Sequence, residues 1–257
     1  MKRHLFALGA AALVCAGCCS HPEFTVVSFN TRHCAGMDGR LDLARTAEAV
    51  SRLQPRFAGL QEIDCKTRRV QGVDQPAELG RATGLTPNFA KAIDHAGGEY
   101  GNLTLTAGEP LSVFKTPLPG GERRVLIFTE FDDCVFGTTH LSVGNEKERI
   151  DSIALIREAM ARYCKKPIIL TGDWNATIDS EVLTLMQELF TVVSDTSGRT
   201  YHGGPDKGPS GTVDDFCIDY IAIDKPHADE YEVLARGIVD DRLTSDHAPI
   251  FVRLRKR

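Results

Sequence analysis

The sequence lacks the short motifs that mark nucleotide-driven and covalent enzyme chemistry. It contains no Gly-x-x-x-x-Gly-Lys-Ser/Thr phosphate loop and no Gly-x-Gly-x-x-Gly turn, which are the usual signals of nucleotide-driven transfer and of dinucleotide redox. It also contains no Gly-x-Ser-x-Gly nucleophile elbow, the turn that presents the serine of many esterases. These classes of enzyme therefore have no support in the sequence.

Metal-binding spacings of cysteine and histidine are also missing. Outside the first 20 residues there is no Cys-x-x-Cys pair, so dithiol redox catalysis has no support. The eight histidines are dispersed, whereas a zinc hydrolase needs a histidine-rich ligand set. Five cysteines stand singly, and we expect small core residues or, in an oxidising envelope, a disulfide. They are Cys34, Cys65, Cys134, Cys164 and Cys217.

The chain has little positive charge to offer a polyanion. Acidic residues outnumber basic ones by 35 to 30, and no basic run stands out beyond the last three residues. Broad capture of long nucleic acid is therefore not indicated, and a local basic cleft is the alternative. Hydrophobic residues make up 42% and charged residues 25% of the 257 positions. These values are typical of a soluble globular domain and exclude a disordered, collagen-like or polytopic membrane chain.

The first 17 residues have the composition of a signal peptide. A short basic segment precedes the apolar stretch Leu5–Ala16, which is too short for a permanent membrane-spanning helix. The stretch leads through small residues into Cys18, which resembles the lipidated cysteine of a bacterial lipoprotein. We therefore expect residues 1–17 to be removed, 18–23 to form a short tether and 24–257 to form one catalytic domain. The expected location is the extracytoplasmic side of a bacterial envelope, lipid-anchored, with a secreted or periplasmic protein as the alternative.

Apolar runs that suit buried strands alternate with three helical patterns. Apolar residues at helical spacing begin at Leu43, Ile153 and Val182. The pattern predicts one α/β domain with mixed sheets, and the Gly/Pro/Ser-rich stretch Ser197–Gly211 predicts a long loop beside a site. The apolar runs are Phe24–Phe29, Phe57–Leu60, Val125–Phe131, Val135–Leu141, Pro167–Leu170, Phe216–Ile223 and Pro249–Leu254.

Polar side chains stand at the boundaries of these apolar runs. A carboxylate in such a position is costly unless it is paired or binds a cation. A single polar residue of this kind is usually a solvated strand end or a turn cap. A series of such residues is hard to explain as a set of unrelated turn caps. Because ligands bind beyond strand ends in α/β folds, we expect these side chains to meet at one site. They are Asn30, Glu62, His140, Asp173, Asn175, Asp219, Asp246 and His247.

At these positions the sequence resembles the endonuclease/exonuclease/phosphatase superfamily of metal-dependent phosphoesterases, in particular its bacterial small-enzyme branch. The resemblance implies a four-layer sandwich: two mixed β-sheets packed face to face, with helices outside. The matching pieces follow the order of the family along the chain. They are Ser28-Phe29-Asn30, Leu60-Gln61-Glu62, Thr139-His140-Leu141, Gly172-Asp173-Trp174-Asn175, Ile218-Asp219-Tyr220 and Ser245-Asp246-His247-Ala248-Pro249.

The resemblance also implies a divalent cation. Glu62 is the expected direct ligand, with Asn30 and Asp246 nearby. Oxygen ligands of this kind suit Mg²⁺, which binds through one or two carboxylates and keeps several waters. Mn²⁺ is the alternative.

The remaining residues of the motifs take catalytic roles by the same resemblance. Asp173 is expected to orient or deprotonate the attacking water, and Asn175 to hold that water or a phosphate oxygen. His247 is expected to hydrogen-bond the phosphate, with Asp219 fixing its tautomer. His140 is the candidate proton donor to the leaving group.

Five further residues are candidates for contact with substrate. Four of them are equally well explained as surface residues: Arg32, His33, Arg68 and His202. The fifth is Asn102, which lies in a piece that resembles the glycine-asparagine turn of the family, Tyr100-Gly101-Asn102, and is expected to face the site. Because the superfamily includes nucleases, phosphatases and lipid phosphodiesterases on one core, the fold does not choose the substrate. The low basic content favours a small or lipid head-group phosphoester. The alternatives are a non-specific nuclease for DNA or RNA and a phosphate-ligand binding protein without activity.

The cysteine after the apolar stretch gives a prediction about location. Changing Cys18→Ser should move the protein from the membrane fraction to the soluble extract, or leave it uncleaved, because the acylated residue is gone. Fractionation followed by immunoblotting measures this. A wild-type protein found wholly in the periplasm or medium would rule out the anchor.

Overall fold

The computed structural model describes residues 22–203 and 216–257. The predicted signal peptide and most of the predicted loop Ser197–Gly211 lie outside these residues. Within them the chain forms 12 β-strands and four α-helices. None of the described helices has the length and apolar character needed to span a membrane.

The described residues form the following strands and helices in chain order. The strands are β1 (Glu23–Asn30), β2 (Pro55–Cys65), β3 (Thr86–His95), β4 (Gly98–Thr106), β5 (Ser112–Leu118), β6 (Arg124–Glu130), β7 (Val135–His140), β8 (Ile168–Asp173), β9 (Phe190–Val192), β10 (Asp219–Asp224), β11 (Tyr231–Ile238) and β12 (Ile250–Lys256). The helices are α1 (Leu43–Ser51), α2 (Gln75–Thr83), α3 (Glu146–Met160) and α4 (Glu181–Leu189).

The strands form two six-stranded sheets that each contain parallel and antiparallel neighbours. The first sheet has the order β11-β12-β1-β2-β4-β3, and the second has the order β5-β6-β7-β8-β10-β9. In the first, β1 is parallel to β2 and antiparallel to β12. In the second, β7 is parallel to β8 and antiparallel to β6. The predicted α/β class with mixed sheets is confirmed.

Apolar side chains on both faces of each sheet produce the layers. Between the sheets, the rings of Phe57 and Phe136 stack with centroids 4.9 Å apart. On the outer face of the first sheet lie α1 and α2, with Val50 fully buried there. On the outer face of the second sheet lie α3 and α4, which bury Ile156 and Met186. The predicted four-layer sandwich is thus confirmed.

Each α-helix begins at a side chain that caps its first turn. An oxygen of the capping residue accepts a hydrogen bond from a backbone N–H three residues further on, which satisfies a donor that the helix itself leaves unpaired. The caps are Asp42 (2.9 Å), Asp74 (3.2 Å), Asn145 (3.0 Å) and Ser180 (3.2 Å).

The apolar runs predict the central strands better than the sheet edges. Strands β3 and β5 lie at edges and are only partly buried, so their sequences contain no continuous apolar run. Helix α2 was also not predicted, because Leu79 is the one large apolar side chain on its buried face. The run Phe216–Ile223 is only partly a strand, since β10 begins at Asp219.

Towards the functional end of the sheets, the layer between them changes from apolar to polar. The side-chain amide of Gln61 donates to the hydroxyls of Thr138 at 2.7 Å and Ser28 at 3.4 Å. The hydroxyl of Thr171 lies against Gly59, where a Cβ atom would be only 2.0 Å away. Glycine is therefore required here by the close approach of the two sheets.

The five described cysteines are free thiols. Cys34 and Cys134 are buried among apolar residues, Cys65 and Cys217 are half-buried, and Cys164 is exposed. Burial raises the pKa of Cys34 and of Cys134 to about 12, so both stay protonated near neutral pH. These two fit the expected role of small core residues.

The tight spacing of the sheets predicts a large effect of one methyl group. Gly59→Ala should lower the free energy of unfolding by about 1–3 kcal/mol, the usual range for overpacking a core. Gly121→Ala is the matched control, because its added Cβ meets no atom within 4 Å. Urea unfolding curves measure both variants. Equal midpoints for the two would contradict this account of the sheet contact.

Candidate active site

The polar residues predicted from the strand boundaries meet at one edge of the sandwich. Asn30 ends β1, His140 ends β7, Asp173 ends β8 and Asp219 begins β10. Glu62 lies within β2, where the pairing register with β4 shifts. Its φ of 60° is left-handed, which is uncommon outside glycine and marks a local distortion of the strand.

Asn30 connects the carboxylates of the two sheets. Its amide nitrogen donates to Oε1 of Glu62 at 3.1 Å and to Oδ2 of Asp173 at 3.0 Å. Its amide oxygen accepts from the backbone N–H of Arg32 at 3.1 Å. These three hydrogen bonds fix the orientation of the amide, with its nitrogen towards the carboxylates.

Two histidines face the same oxygen of Asp173. Nε2 of His140 lies 3.4 Å from Oδ2 of Asp173, and Nε2 of His247 lies 3.6 Å from it. The other ring nitrogen of His247 is 2.8 Å from Oδ2 of Asp219. Ser245 accepts from the backbone N–H of His247 and donates to the carbonyl of Asn30, so the final loop is tied to β1.

Burial and neighbouring charge give these groups unusual protonation. Burial, reinforced by the Asp219 carboxylate, raises the pKa of Asp173 to about 7. Burial alone would lower the pKa of His247, but the carboxylates of Asp219 and Asp173 raise it to about 10. Burial, together with the charge of Arg124, lowers the pKa of His140 well below its ordinary value. At neutral pH, His247 is therefore charged and His140 is neutral.

Asn175 lies next to Asp173 and braces the neighbouring loop. Its backbone N–H donates to Oδ1 of Asp173 at 2.9 Å, and its side-chain amide donates to the carbonyl of Leu141 at 3.0 Å. Its φ of 48° is left-handed, a conformation that asparagine adopts more readily than most residues. The turn therefore presents Asn175 beside the buried carboxylate.

Two sets of side chains in the centre could hold a metal ion: Asp173, Asp219 and His247 in one, and Glu62 with Asp246 in the other. Donor atoms of Asp173, Asp219 and His247 lie within 4.8 Å of one another. Glu62 is half-buried, and this burial, with a contribution from the Asp246 charge, raises its pKa. A cation between two such carboxylates would offset their mutual repulsion.

Three of the predicted substrate-contact residues have hydrogen-bond partners within the protein. The guanidinium of Arg32 donates to two backbone carbonyls and lies 3.8 Å from the carboxylate of Asp246. The amide of Asn102 donates to the carbonyl of Val125 at 2.8 Å. The backbone N–H of His202 donates to the carbonyl of Asp246. These contacts show structural partners for all three residues.

The remaining two substrate candidates lie on the rim. Burial, with the charge of Arg69, lowers the pKa of His33 to about 4, so its half-buried ring is neutral at physiological pH. Arg68 is exposed, with its guanidinium over Gly97 in the β3–β4 turn. Among the described residues, neither side chain forms a hydrogen bond or ion pair with the central carboxylates.

Arg124 is a site residue that the strand boundaries did not single out. It is 5% exposed, and its guanidinium contacts the hydroxyl of Tyr100 at 3.3 Å and the carboxylate of Glu122. Its charge acts on the pKa values of both Glu62 and His140. The available signal was an arginine at the very start of an apolar strand, a costly position for a charge without a partner.

Comparison with known proteins shows the family to which this chain belongs. The sequence model of the endonuclease/exonuclease/phosphatase family matches residues 27–247. The chain therefore belongs to the endonuclease/exonuclease/phosphatase family, as the motifs predicted. No curated protein sequence matches the chain at the threshold applied.

Solved structures of low sequence identity share the fold. A family member from Beutenbergia cavernae superposes with a TM-score of 0.74 at 20% identity, covering 91% of this chain and 72% of that one. The mannosyl-6-phosphatase Bt3783 from Bacteroides thetaiotaomicron gives 0.65 at 18% identity, with 90% and 99% covered. The catalytic domain of human Nocturnin gives 0.64 at 18% identity, with 93% and 95% covered.

The His247–Asp219 pair gives a prediction about protonation. In metal-free protein, Asp219→Asn should lower the pKa of His247 from about 10, because a charge that favours the imidazolium is lost. Imidazole NMR shifts followed against pH measure this. Asp224→Asn is the control, since Asp224 pairs with a different histidine, His227, at 2.6 Å. An unchanged His247 titration in Asp219→Asn would contradict the assigned pairing.

Proposed function

We propose that this protein is a divalent-metal-dependent phosphoesterase that hydrolyses a small or lipid head-group phosphoester. The observation that carries the proposal is the position of Asp173: a buried carboxylate that accepts from Asn30 and faces two histidine Nε2 atoms. Hydrolysis of a phosphate ester needs an oriented water, stabilisation of charge on the phosphoryl oxygens and a proton for the leaving oxygen. This site has candidate groups for the first two needs.

The carboxylates of Glu62 and Asp246 are the groups that fit a hard divalent cation. Both offer oxygen, and their charges repel each other. The charged ring of His247 is already hydrogen-bonded to Asp219, so we assign that histidine to proton handling and not to the metal. A cation held by Glu62, with Asn30 and Asp246 beside it, would neutralise phosphoryl charge, and Mg²⁺ is the ion we expect.

The remaining groups divide the work on water and phosphate. Asp173, with its pKa raised to about 7, is suited to accept a proton from the attacking water near neutral pH. Asn175 orients Asp173 through its backbone N–H. The imidazolium of His247 donates to a phosphate oxygen, with Asp219 holding its other nitrogen. The charge of the buried Arg124 guanidinium acts on neutral His140, and we assign both side chains to contact with the phosphoryl group.

The distribution of basic side chains supports a compact substrate. Arg32 faces Asp246, Arg69 forms a two-point contact with buried Asp64, and Arg124 pairs with Glu122. Tight duplex binding usually needs several free Lys/Arg–phosphate contacts. A few arginines suffice for a small phosphoester.

Two structural neighbours carry names of phosphoester chemistry, and these support the reaction class. One is the mannosyl-6-phosphatase of Bacteroides thetaiotaomicron; another is ANGEL2, a 2′,3′-cyclic phosphatase solved with adenosine-2′,3′-vanadate. The predicted lipid anchor at Cys18 would place phospholipid head groups within reach, which is why we retain them among the candidate substrates.

Two variants separate the water-activating group from the metal-binding group. Asp173→Asn should keep the fold and lower kcat by about 10²-fold or more, the usual order for loss of acid–base help. Glu62→Gln should instead move the Mg²⁺ titration of activity to higher concentration, because one charged ligand is lost. Near-normal kcat in the first variant, or an unchanged titration in the second, would remove that residue from its role.

A substrate panel tests the choice of a small ester. Purified residues 20–257 should turn over sugar phosphates, head-group diesters or a chromogenic diester with higher kcat/KM than duplex DNA, in the same buffer and with the same metal. EDTA should abolish the turnover. Efficient, strongly salt-sensitive DNA cleavage with negligible small-ester turnover would establish the nuclease alternative. Ligand binding without any turnover would establish the binding protein.

A further inference from the structure

A pocket of about 230 Å³ opens beside Asn175, away from the carboxylates assigned to the metal. It lies between the start of α3, the turn after β8 and the segment before β10. Its floor is apolar, since Ala176 and Ile218 are buried there. Among the residues that line it are Arg149, Asn175, Ala176, Phe216 and Ile218.

Two hydrogen bonds place the pocket next to the catalytic carboxylate. The side-chain amide of Asn175 donates to the carbonyl of Leu141, and the guanidinium of Arg149 donates to the carbonyl of the next residue, Ser142, at 2.9 Å. Consecutive Cα atoms are about 3.8 Å apart. Arg149 therefore holds the same loop one residue further along than Asn175, which itself contacts Asp173.

Stacked rings connect the opposite wall of the pocket to the centre. The rings of Phe216 and Tyr201 are 5.9 Å apart and inclined by 28°. Tyr201 in turn packs on the ring of His247, with centroids 4.9 Å apart. A group bound in the pocket would thus lie between Asn175, which contacts Asp173, and Phe216, which connects to His247 through Tyr201.

Arg149 differs from the other basic residues of α3. Lys147 pairs with Asp151 at 2.6 Å, and Arg157 pairs with Glu188 at 3.2 Å. Arg149 forms no ion pair within residues 22–203 and 216–257, and its one hydrogen bond there is the donation to the carbonyl of Ser142. Its side chain lines the pocket without an anionic partner, so Arg149 is suited to an anion supplied by a ligand.

We propose that this pocket is a substrate subsite for an anionic oxyacid group, a carboxylate or a second phosphate, joined by a short spacer to the scissile phosphate. Arg149 binds the anion by charge-assisted hydrogen bonds. The ring of Phe216 and the side chains of Ala176 and Ile218 contact the spacer. The inference rests on the proposed function, because it requires the scissile phosphate to lie at Asp173.

Matched ligands that differ by one anionic group test the subsite. One pair is 2-phosphoglycerate and glycerol 2-phosphate, and a longer pair is 6-phosphogluconate and glucitol 6-phosphate. In each pair a carboxylate replaces a hydroxymethyl group. Calorimetry measures binding with Mg²⁺, and phosphate release measures kcat/KM. We expect the wild type to prefer the acid of at least one pair by about tenfold or more, as for a charge-assisted hydrogen bond.

Variants of α3 decide whether Arg149 causes that preference. Arg149→Gln should abolish the preference for the acids, so that the two members of each pair give a ratio of about one. Arg149→Lys, which keeps the charge, should retain part of the preference. Arg157→Gln removes an arginine of the same helix outside the pocket and should leave the preference unchanged. Thermal unfolding of all three variants separates loss of the subsite from loss of the fold.

The outcomes separate this inference from the proposed function. No preference for either acid, or a preference that a folded Arg149→Gln variant retains in full, would overturn the subsite. An Arg149-dependent preference in binding without hydrolysis of any ester in the panel would support the subsite and refute the hydrolase. Hydrolysis of the esters that lack the carboxylate, without any preference for the acids, would support the hydrolase and overturn the subsite.

Discussion

One buried hydrogen bond joins the two sheets where the site forms: the amide of Asn30 donates to Asp173 at 3.0 Å across 143 positions of sequence. Asn30 also holds Glu62, and Asp173 faces His140 and His247. The contacts of Asn30 and of His247 with Asp173 cross between the sheets, so they depend on the sheets lying close together, which the absence of a side chain at Gly59 permits. The stability of the sandwich and the geometry of the site therefore share one structural requirement.

The same closeness accounts for the electrostatics of the centre. Asp173 and Asp219 are buried and near each other, so one carries a raised pKa and the imidazolium of His247 is retained as their shared counter-charge. The second pair of carboxylates, Glu62 and Asp246, has no imidazolium hydrogen-bonded to it; Arg32 lies 3.8 Å from Asp246, and Arg124 acts on Glu62 through its charge. This is the pair that we assign to a metal. The division into a proton-handling side and a metal-binding side follows from where the positive charge of the protein itself lies.

The sequence predicted most of the interior strands and the meeting of the polar residues, because most buried strands are continuous apolar runs and the interruptions of such runs are conspicuous. It missed the interior strand β4, in which threonines alternate with leucines. It did not predict edge strands such as β3, whose half-exposed pattern resembles that of a loop, or α2, which buries little beyond Leu79. Arg149 was not predicted for a different reason. Its place beside the site comes from the folding of α3 against the loop after β7, which no motif in the sequence marks.

The central claim is that a water held by Asp173 attacks phosphorus in a metal-dependent reaction. The most direct measurement is hydrolysis of the best small ester in ¹⁸O-labelled water, with the products analysed by mass spectrometry. The account predicts that the label appears in the phosphate product, that none appears in the alcohol, and that EDTA abolishes its incorporation. Label in the alcohol, which would show cleavage of the carbon–oxygen bond, or full incorporation in the presence of EDTA would contradict it.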